Sequence, residues 1–400
     1  MTALKARPMP DSIPTEAELI ARALALVPVL RARAEAAEAN RSLLDETLQD
    51  FVAAGFYRIC QPREFGGYEH SPEVLFRVSS IIARGCPSSA WCLCLIGVHN
   101  WEVGLLDPRV GQDLWGQDDT VRYSSSYAPF GKVVEVEGGY RLSGQWPWST
   151  GCDHCSWVML GAVVMKEGAP PEMRSFLIPR SEYEIIDTWH VLGLKGTGSK
   201  DVRVKDAFIP AYRTHSFMDS FLRKDPGQGH YTGSTYLYPF GTTFAFCLAS
   251  VALGIAEGAL EVSVEYFRER LDVNDGSSSM NDPFFRQRLA EADAMVRGLN
   301  YRRDAAYARM DKYVSAGKHV PVEEGAASKW DAQCIGKGAV EAVDLLFKIS
   351  GGRGAMLSHP IQRYFRDVHT ASNHAFLNAD KGSVNMGGLL MGAEPKDIAV

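Results

Sequence analysis

The chain has 400 residues, 46% hydrophobic and 22% charged, with a net charge of −6, a pI near 6.0 and no block of like charges; neither nucleic acid nor an anionic membrane is a natural partner for such a surface. That length exceeds one comfortable core, so two or three packed units are expected. No run approaches the ~20 uninterrupted apolar residues that span a bilayer, the opening MTALKARPMPDSIPTEAEL lacks the apolar core of a signal peptide, and 8 scattered Cys read as reduced thiols in a cytoplasm rather than a disulfide framework.

From Thr15 to about Val110 the pattern is helical, with Leu43, Leu44, Leu48 and Phe51 spaced along one apolar face and a turn at 62-PREFGG-67. From about Thr120 to Thr214 short β-rich runs take over: Lys132–Val136, Tyr140–Leu142, Trp157–Val164, Ser175–Ile178 and Val202–Val204, with turns such as 137-EGG-139 between them. The helical period returns from Gly241 and predicts helices over 244–271, 284–313 and 323–349, the first two separated by the loop 272-DVNDGSSSMNDP-283. The predicted domains are 1–119 (helical), 120–215 (β) and 216–400 (helical bundle). This order is neither an alternating βα pattern nor a TIM barrel. No G-x-G-x-x-G opens a helix after a strand, so a Rossmann dinucleotide site is not signalled.

The stretch 145-QWPWSTGCDHCSWVMLG-161 invites a metal reading at Cys152, His154 and Cys155. These residues are too close together for three independent tetrahedral ligands, and no second C-x-x-C or H-x-x-x-H completes a site, so no metal is expected. A nucleophilic Cys152 needs an activating base and a cleft, which the sequence leaves open. Cys92 and Cys94 alternate with apolar residues and read as core. His99, within 95-LIGVHNWEVG-104, reads in isolation as a satisfied core histidine.

Four stretches in order change the weighting: 62-PREFGG-67, 139-GYRLSGQWPWSTG-151, 192-LGLKGTGSKDVRVKDAFIP-210 and 350-SGGRGAMLSHPIQRYFRD-367. Together they resemble the acyl-CoA dehydrogenase family over nearly the whole chain. The resemblance implies an α+β fold with an N-terminal helical domain, a central β-barrel or sandwich, and a C-terminal four-helix bundle. A dehydrogenase needs a carboxylate base to remove an α-proton. Here 366-RDVHTASNHAFLNAD-380 offers His374 near where that Glu falls, and 240-FGTTFAFCLAS-250, the alternative position, has no carboxylate. Both departures, with 147-PWSTGCDHCSW-157 and 193-GLKGTGSKDV-202, resemble the two-component flavin-dependent monooxygenases of phenols, the branch of steroid-ring phenol and p-hydroxyphenylacetate hydroxylases.

That branch implies reduced FMN or FAD delivered by a separate NAD(P)H-dependent reductase, O2 as co-substrate, a flavin C4a-hydroperoxide as the oxygen donor, and a homotetramer with the flavin between subunits. It implies that Trp148 packs on the flavin while Ser149 or Thr150 meets its N5. Gly196, Thr197, Gly198 and Ser199 let backbone N–H groups approach an anion; Arg268, Arg270, Gly351, Gly352 and Arg353 are candidates across a subunit interface. His99 takes the phenolic proton, with Ser125 of 122-RYSSSYAP-129 as partner for the substrate oxygen. His374 faces His99 as proton donor or base, His369 ranks behind it, and His359 is a loop residue. Trp91, Trp146, Phe240 and Phe376 are the candidate aromatic pocket lining. The alternatives are N- or S-oxygenation (indole, amino sugar or thiophene type) and acyl-CoA oxidation.

Overall fold

The structure is a computed structural model that describes residues 12–399 except 167, 272–275 and 277. The first residues of the opening segment and most of the first half of the 272–283 loop lie outside the described residues. Five helices come first: α1 (Glu16–Asn40), α2 (Asp45–Ala53), α3 (Pro72–Ala83), α4 (Pro87–Glu102) and α5 (Pro108–Trp115). A capping box opens α1, where the Thr15 hydroxyl accepts from the Glu18 amide and the Glu18 carboxylate accepts from the Thr15 amide. α3, α4 and α5 each begin with Pro in the first turn, where a missing N–H costs no hydrogen bond. α4 is buried along its whole length except at Leu95, which makes it the central rod against which the other layers pack.

Seven strands follow: β1 (Tyr123–Val136), β2 (Gly139–Ser149), β3 (Trp157–Val164), β4 (Glu172–Pro179), β5 (Tyr183–Ile186), β6 (Lys200–Pro210) and β7 (Thr214–Ser216). They form one sheet in the order β5-β6-β2-β1-β3-β4-β7. Only β1 and β3 run parallel; the remaining neighbours are antiparallel. The β1–β2 hairpin closes at Gly138, whose φ of 80° lies where glycine is at home. All five predicted β runs fall within strands, while β5 and β7 are too short to show a period of their own. The sheet has its own core around Tyr140, Leu142, Trp146, Val158, Phe176 and Val202.

The chain then returns to helices: α6 (Phe217–Phe221), α7 (Phe240–Glu269), α8 (Pro283–Val314), α9 (Val322–Ile349), α10 (Gly351–Gly354), α11 (Ile361–Ser372) and α12 (Ala379–Leu390). α7, α8, α9 and α11 pack on one another, and α7 also packs on α3 and α4. The helices on either side of the sheet in sequence therefore share one continuous core. α7 is long and apolar enough by itself to cross a membrane, but 89% of its most apolar stretch is buried inside the fold. The three predicted long helices match α7, α8 and α9 to within a few residues.

Candidate active site

One side of α4 presents its residues to three different layers. Trp91 meets the His374 ring edge-on at 6.1 Å. The Cys92 thiol donates to the Thr197 carbonyl at 3.4 Å. Ile96 fills the space beside Gly151, where a Cβ would come within 2.8 Å of it; Gly151 also has a φ of 65°, so the turn after β2 needs glycine on both counts. His99, buried to 1% exposure, stacks on Tyr123 at 4.7 Å, meets Tyr127 edge-on at 6.1 Å and lies 5.5 Å from Phe244. Strand side chains alternate, so Tyr123, Ser125 and Tyr127 share one face of β1. Ser125 lies beside Tyr127 on that face, whereas Ser124 points the other way, into the sheet.

Behind His99 is a buried ionic cluster. His99 Nδ1 lies 3.1 Å from Glu102 Oε2. The same carboxylate oxygen accepts from the Tyr127 hydroxyl at 2.6 Å and lies 3.1 Å from that of Tyr123, which also reaches the His99 carbonyl at 2.7 Å. Glu102 Oε1 faces His215 Nδ1 at 3.6 Å, and His215 Nε2 meets Asp225 Oδ1 at 2.9 Å with the Ser220 hydroxyl bridging both. Burial alone would raise the Glu102 pKa; the charge of His215 and the hydrogen bond from His99 outweigh it and hold the carboxyl at about 2. Burial alone would lower that of His215, but Asp225 and Glu102 together raise it to about 9.

On the far side, His374 Nδ1 accepts the Phe376 amide at 3.3 Å, capping the turn that follows α11. Its ring stacks on Phe376 at 5.8 Å, Phe376 stacks on Phe244 at 6.2 Å, and Phe244 touches His99. The two histidines thus face one aromatic enclosure from opposite ends. Burial pushes the His374 pKa down to about 4, so the ring is neutral at physiological pH. Phe240 closes another side, edge-on to Tyr127 at 6.0 Å and to His215 at 5.3 Å. Trp91, Phe240 and Phe376 therefore gather at this enclosure. Trp146 does not: it is fully buried in the core of the sheet, and its indole N–H donates to the Gly161 carbonyl at 2.7 Å. The expectation for Trp146 is corrected because alternation on β2 turns it inward.

Trp148 stands 60% exposed at a φ of 68°, a conformation uncommon for a bulky residue, with Phe130 edge-on at 6.4 Å and itself 56% exposed. Ser149 is fully buried and donates to Ser124 Oγ at 2.9 Å. Thr150 instead joins a chain of hydroxyls, 2.8 Å from Ser199, which is 2.7 Å from Thr197. An exposed aromatic face beside a hydroxyl chain fits a flat heteroaromatic group such as a flavin, whose ring needs an apolar wall and a hydrogen-bonding edge. Within 196–199, the Gly196 amide donates to Ser88 and the Thr197 amide to Leu194, so those two donors are already committed.

Arg268 and Arg270 sit at the opposite end of α7, ~36 Å from Phe244 by helix rise. Arg268 is exposed, while Arg270 lies over the Phe285 ring at 4.8 Å and donates to the Ile349 carbonyl. Gly351 adjoins Arg270, with Gly352 and Arg353 exposed next to it. One chain does not bring this patch to the His99 enclosure. His369 pairs with Asp344 at 2.8 Å away from the enclosure, and His359 caps α11 by accepting the Ile361 amide.

The Cys-Asp-His-Cys stretch acquires a structural role. Asp153 accepts from Ser42 and pairs with Lys200, and His154 bonds the Leu43 carbonyl, tying the end of β2 to the segment after α1. Burial pushes the Cys152 thiol up to about 12, which opposes a nucleophilic thiolate. Among the described residues no group of three or more His, Cys, Asp or Glu side chains converges as metal ligands would.

Sequence reading overlooks Glu102, Tyr127, Phe244, His215 and Asp225. Glu102 was within reach, three residues after His99 on one helix, and Tyr127 shares the two-residue period of Ser125. His215 and Asp225 arrive from beyond the sheet, and no local pattern marks them.

The chain's similarities bear on the same site. Residues 246–379 match the family described as acyl-CoA dehydrogenase, C-terminal domain. Over 383 residues, 94% of this chain and 95% of the relative, it is 37% identical to the flavin-dependent monooxygenase oxygenase subunit HsaA of Mycobacterium tuberculosis. It is 32% identical to the p-hydroxyphenylacetate 3-hydroxylase oxygenase component of Acinetobacter baumannii, over 92% of this chain and 88% of that one. The crystal structure of 3-HSA hydroxylase from Rhodococcus sp. RHA1 is similar with a TM-score of 0.91 at 36% identity, covering 96% of this chain and 99% of that one. With its acyl-CoA dehydrogenase-like fold and similarity along nearly its full length, the chain belongs to the flavin-dependent monooxygenases, as the oxygenase component of a two-component system.

Proposed function

We propose that this oxygenase hydroxylates a small phenolic substrate ortho to its hydroxyl. The observation that carries the reading is a buried imidazole, His99, set among the rings of Tyr123, Tyr127 and Phe244, with Ser125 next to Tyr127. Reduced FMN or FAD from a separate NAD(P)H-dependent reductase, together with O2, supplies the oxygen atom. A free phenol has a pKa of about 10, so its electron-rich phenolate is scarce at neutral pH without a base beside it. His99 takes that proton, Ser125 orients the substrate oxygen, and Phe240, Phe244 and Phe376 hold the ring and exclude water. His374, neutral and with Nδ1 occupied, offers its Nε2–H as a donor rather than acting as a base. Trp148 and Thr150 hold the flavin ring. Arg268, Arg270 and 351–353 reach a flavin of a neighbouring subunit in a homotetramer, and the units 1–119, 120–215 and 216–400 act as its three domains.

The test supplies chemically reduced flavin under 18O2 with a set of phenols, their methyl ethers, an indole and a thioether, and reads products by mass spectrometry. Phenols gaining one labelled oxygen while their methyl ethers do not is the expected result, with at least a hundredfold loss in His99→Ala. Equal turnover of the ethers, or oxygenation of the indole or thioether alone, overturns the phenol reading.

A further inference from the structure

We infer that Glu102 is the positioning residue that makes His99 a base, by fixing the neutral ring's proton on Nδ1 and leaving Nε2 as the acceptor for the substrate. This deepens, and rests on, the phenol-hydroxylase reading. Glu102 is fully buried, with its carboxylate 3.1 Å from Nδ1. An ionised carboxylate only accepts hydrogen bonds, so Nδ1 must donate. Tyr127 is the other polar group within reach of Nδ1, at 3.3 Å, but its single proton is directed at Glu102 at 2.6 Å. The Tyr123 proton has two acceptors nearby, the His99 carbonyl and Glu102, and neither choice gives it to the ring. Among the described residues, His99 Nε2 has no hydrogen-bond partner.

A carboxylate at zero exposure is tolerated only when its charge is compensated. His215, itself fully buried, supplies that compensation from the Oε1 side, and Asp225 and Ser220 hold His215 in turn. The charges therefore alternate in sign away from the substrate: carboxylate, imidazolium, carboxylate. In the step itself the phenol O–H bond breaks, its electron pair stays on the phenol oxygen, and the proton forms a bond to His99 Nε2. The resulting imidazolium then faces Glu102.

His374 provides the contrast. Its Nδ1 accepts a backbone N–H, so its neutral ring carries the proton on Nε2. One enclosure thus holds two imidazoles of opposite tautomer, His99 as acceptor and His374 as donor.

The test is 15N NMR of the full chain labelled at histidine, with His99→Asn and His374→Asn used to assign the two rings. The wild-type protein is expected to show His99 protonated on Nδ1 and His374 on Nε2; His99 protonated on Nε2 overturns the inference without any engineered change at Glu102. Glu102→Gln, which keeps the shape but can donate, should move the His99 proton to Nε2 and leave His374 unchanged. Bound 4-nitrophenol, read by its phenolate absorbance with no flavin present, should be at least tenfold less ionised in Glu102→Gln than in wild type at the same pH. An unchanged tautomer and unchanged ionisation in a folded variant also overturn it. These readouts need no turnover. A protein that passes them yet hydroxylates no phenol loses the phenol-hydroxylase reading and keeps this one; the reverse result does the opposite.

Discussion

Asp367, the acid of the R-D pair on α11, is fully buried, with Oδ1 accepting the Leu194 amide at 2.5 Å and Oδ2 without a partner among the described residues. Burial raises its pKa to about 7, against the pull of the Leu194 amide and of Arg366 and Arg363. In the unfolded chain an Asp titrates near 3.9. The folded state therefore binds the proton more tightly, and stability is fully present below about pH 4 and lost as pH rises through about 7. That difference in proton affinity corresponds to roughly 4 kcal/mol in all, more than half of which is lost between pH 5 and pH 8. Asp367→Asn keeps the acceptor for Leu194 and cannot ionise, at the cost of about 1–3 kcal/mol for an unpaired buried amide. The variant should be less stable than wild type at pH 5 and equal or more stable at pH 8. Urea unfolding of both proteins between pH 5 and 8 measures this, because groups common to both cancel in the difference. A difference that stays constant over that range refutes the argument, since it would mean that the carboxyl ionises in the fold as it does in water.

Ser149→Ala should cost about 1 kcal/mol in stability, by loss of its bond to Ser124, and leave hydrogen peroxide release by the reduced-flavin complex unchanged; Thr150→Ala should raise that release, measured by peroxide assay during turnover. Trp146→Phe should lower stability by about 1–3 kcal/mol through the lost bond to Gly161 without altering the substrate KM, and a raised KM would return Trp146 to the substrate enclosure. Because His374 stays neutral above about pH 4, the hydroxylation rates of wild type and His374→Gln should keep a constant ratio between pH 5 and 8; a ratio that titrates near 6.5 would place His374 in the charged form.

Most of the fold was legible because its signals are local. The period of α7, α8 and α9 and the β runs each depend on a few neighbouring residues, and the short-range chemistry that produces them is the same wherever the segment lies. Half of the enclosure was legible for a different reason: His99, Ser125, His374 and the rings of Phe240 and Phe376 follow from a family resemblance that stretches elsewhere in the chain carry. Trp146 went astray because two tryptophans flanking one proline cannot both be assigned a side from composition. The strand's alternation, broken near Trp148, puts Trp146 in the core and Trp148 in solvent.

The sequence by itself determined the helix–sheet–helix order, the flavoenzyme resemblance and the aromatic, acid-free character of the start of α7. Only the tertiary structure decided what makes His99 more than a core histidine. Glu102, Tyr127, His215 and Asp225 come from α4, β1, β7 and the segment after α6, and they meet because burying α4 on all sides forces every polar group near its C-terminal end to find a partner there. Such convergence depends on packing between distant segments, and no spacing along the chain encodes it.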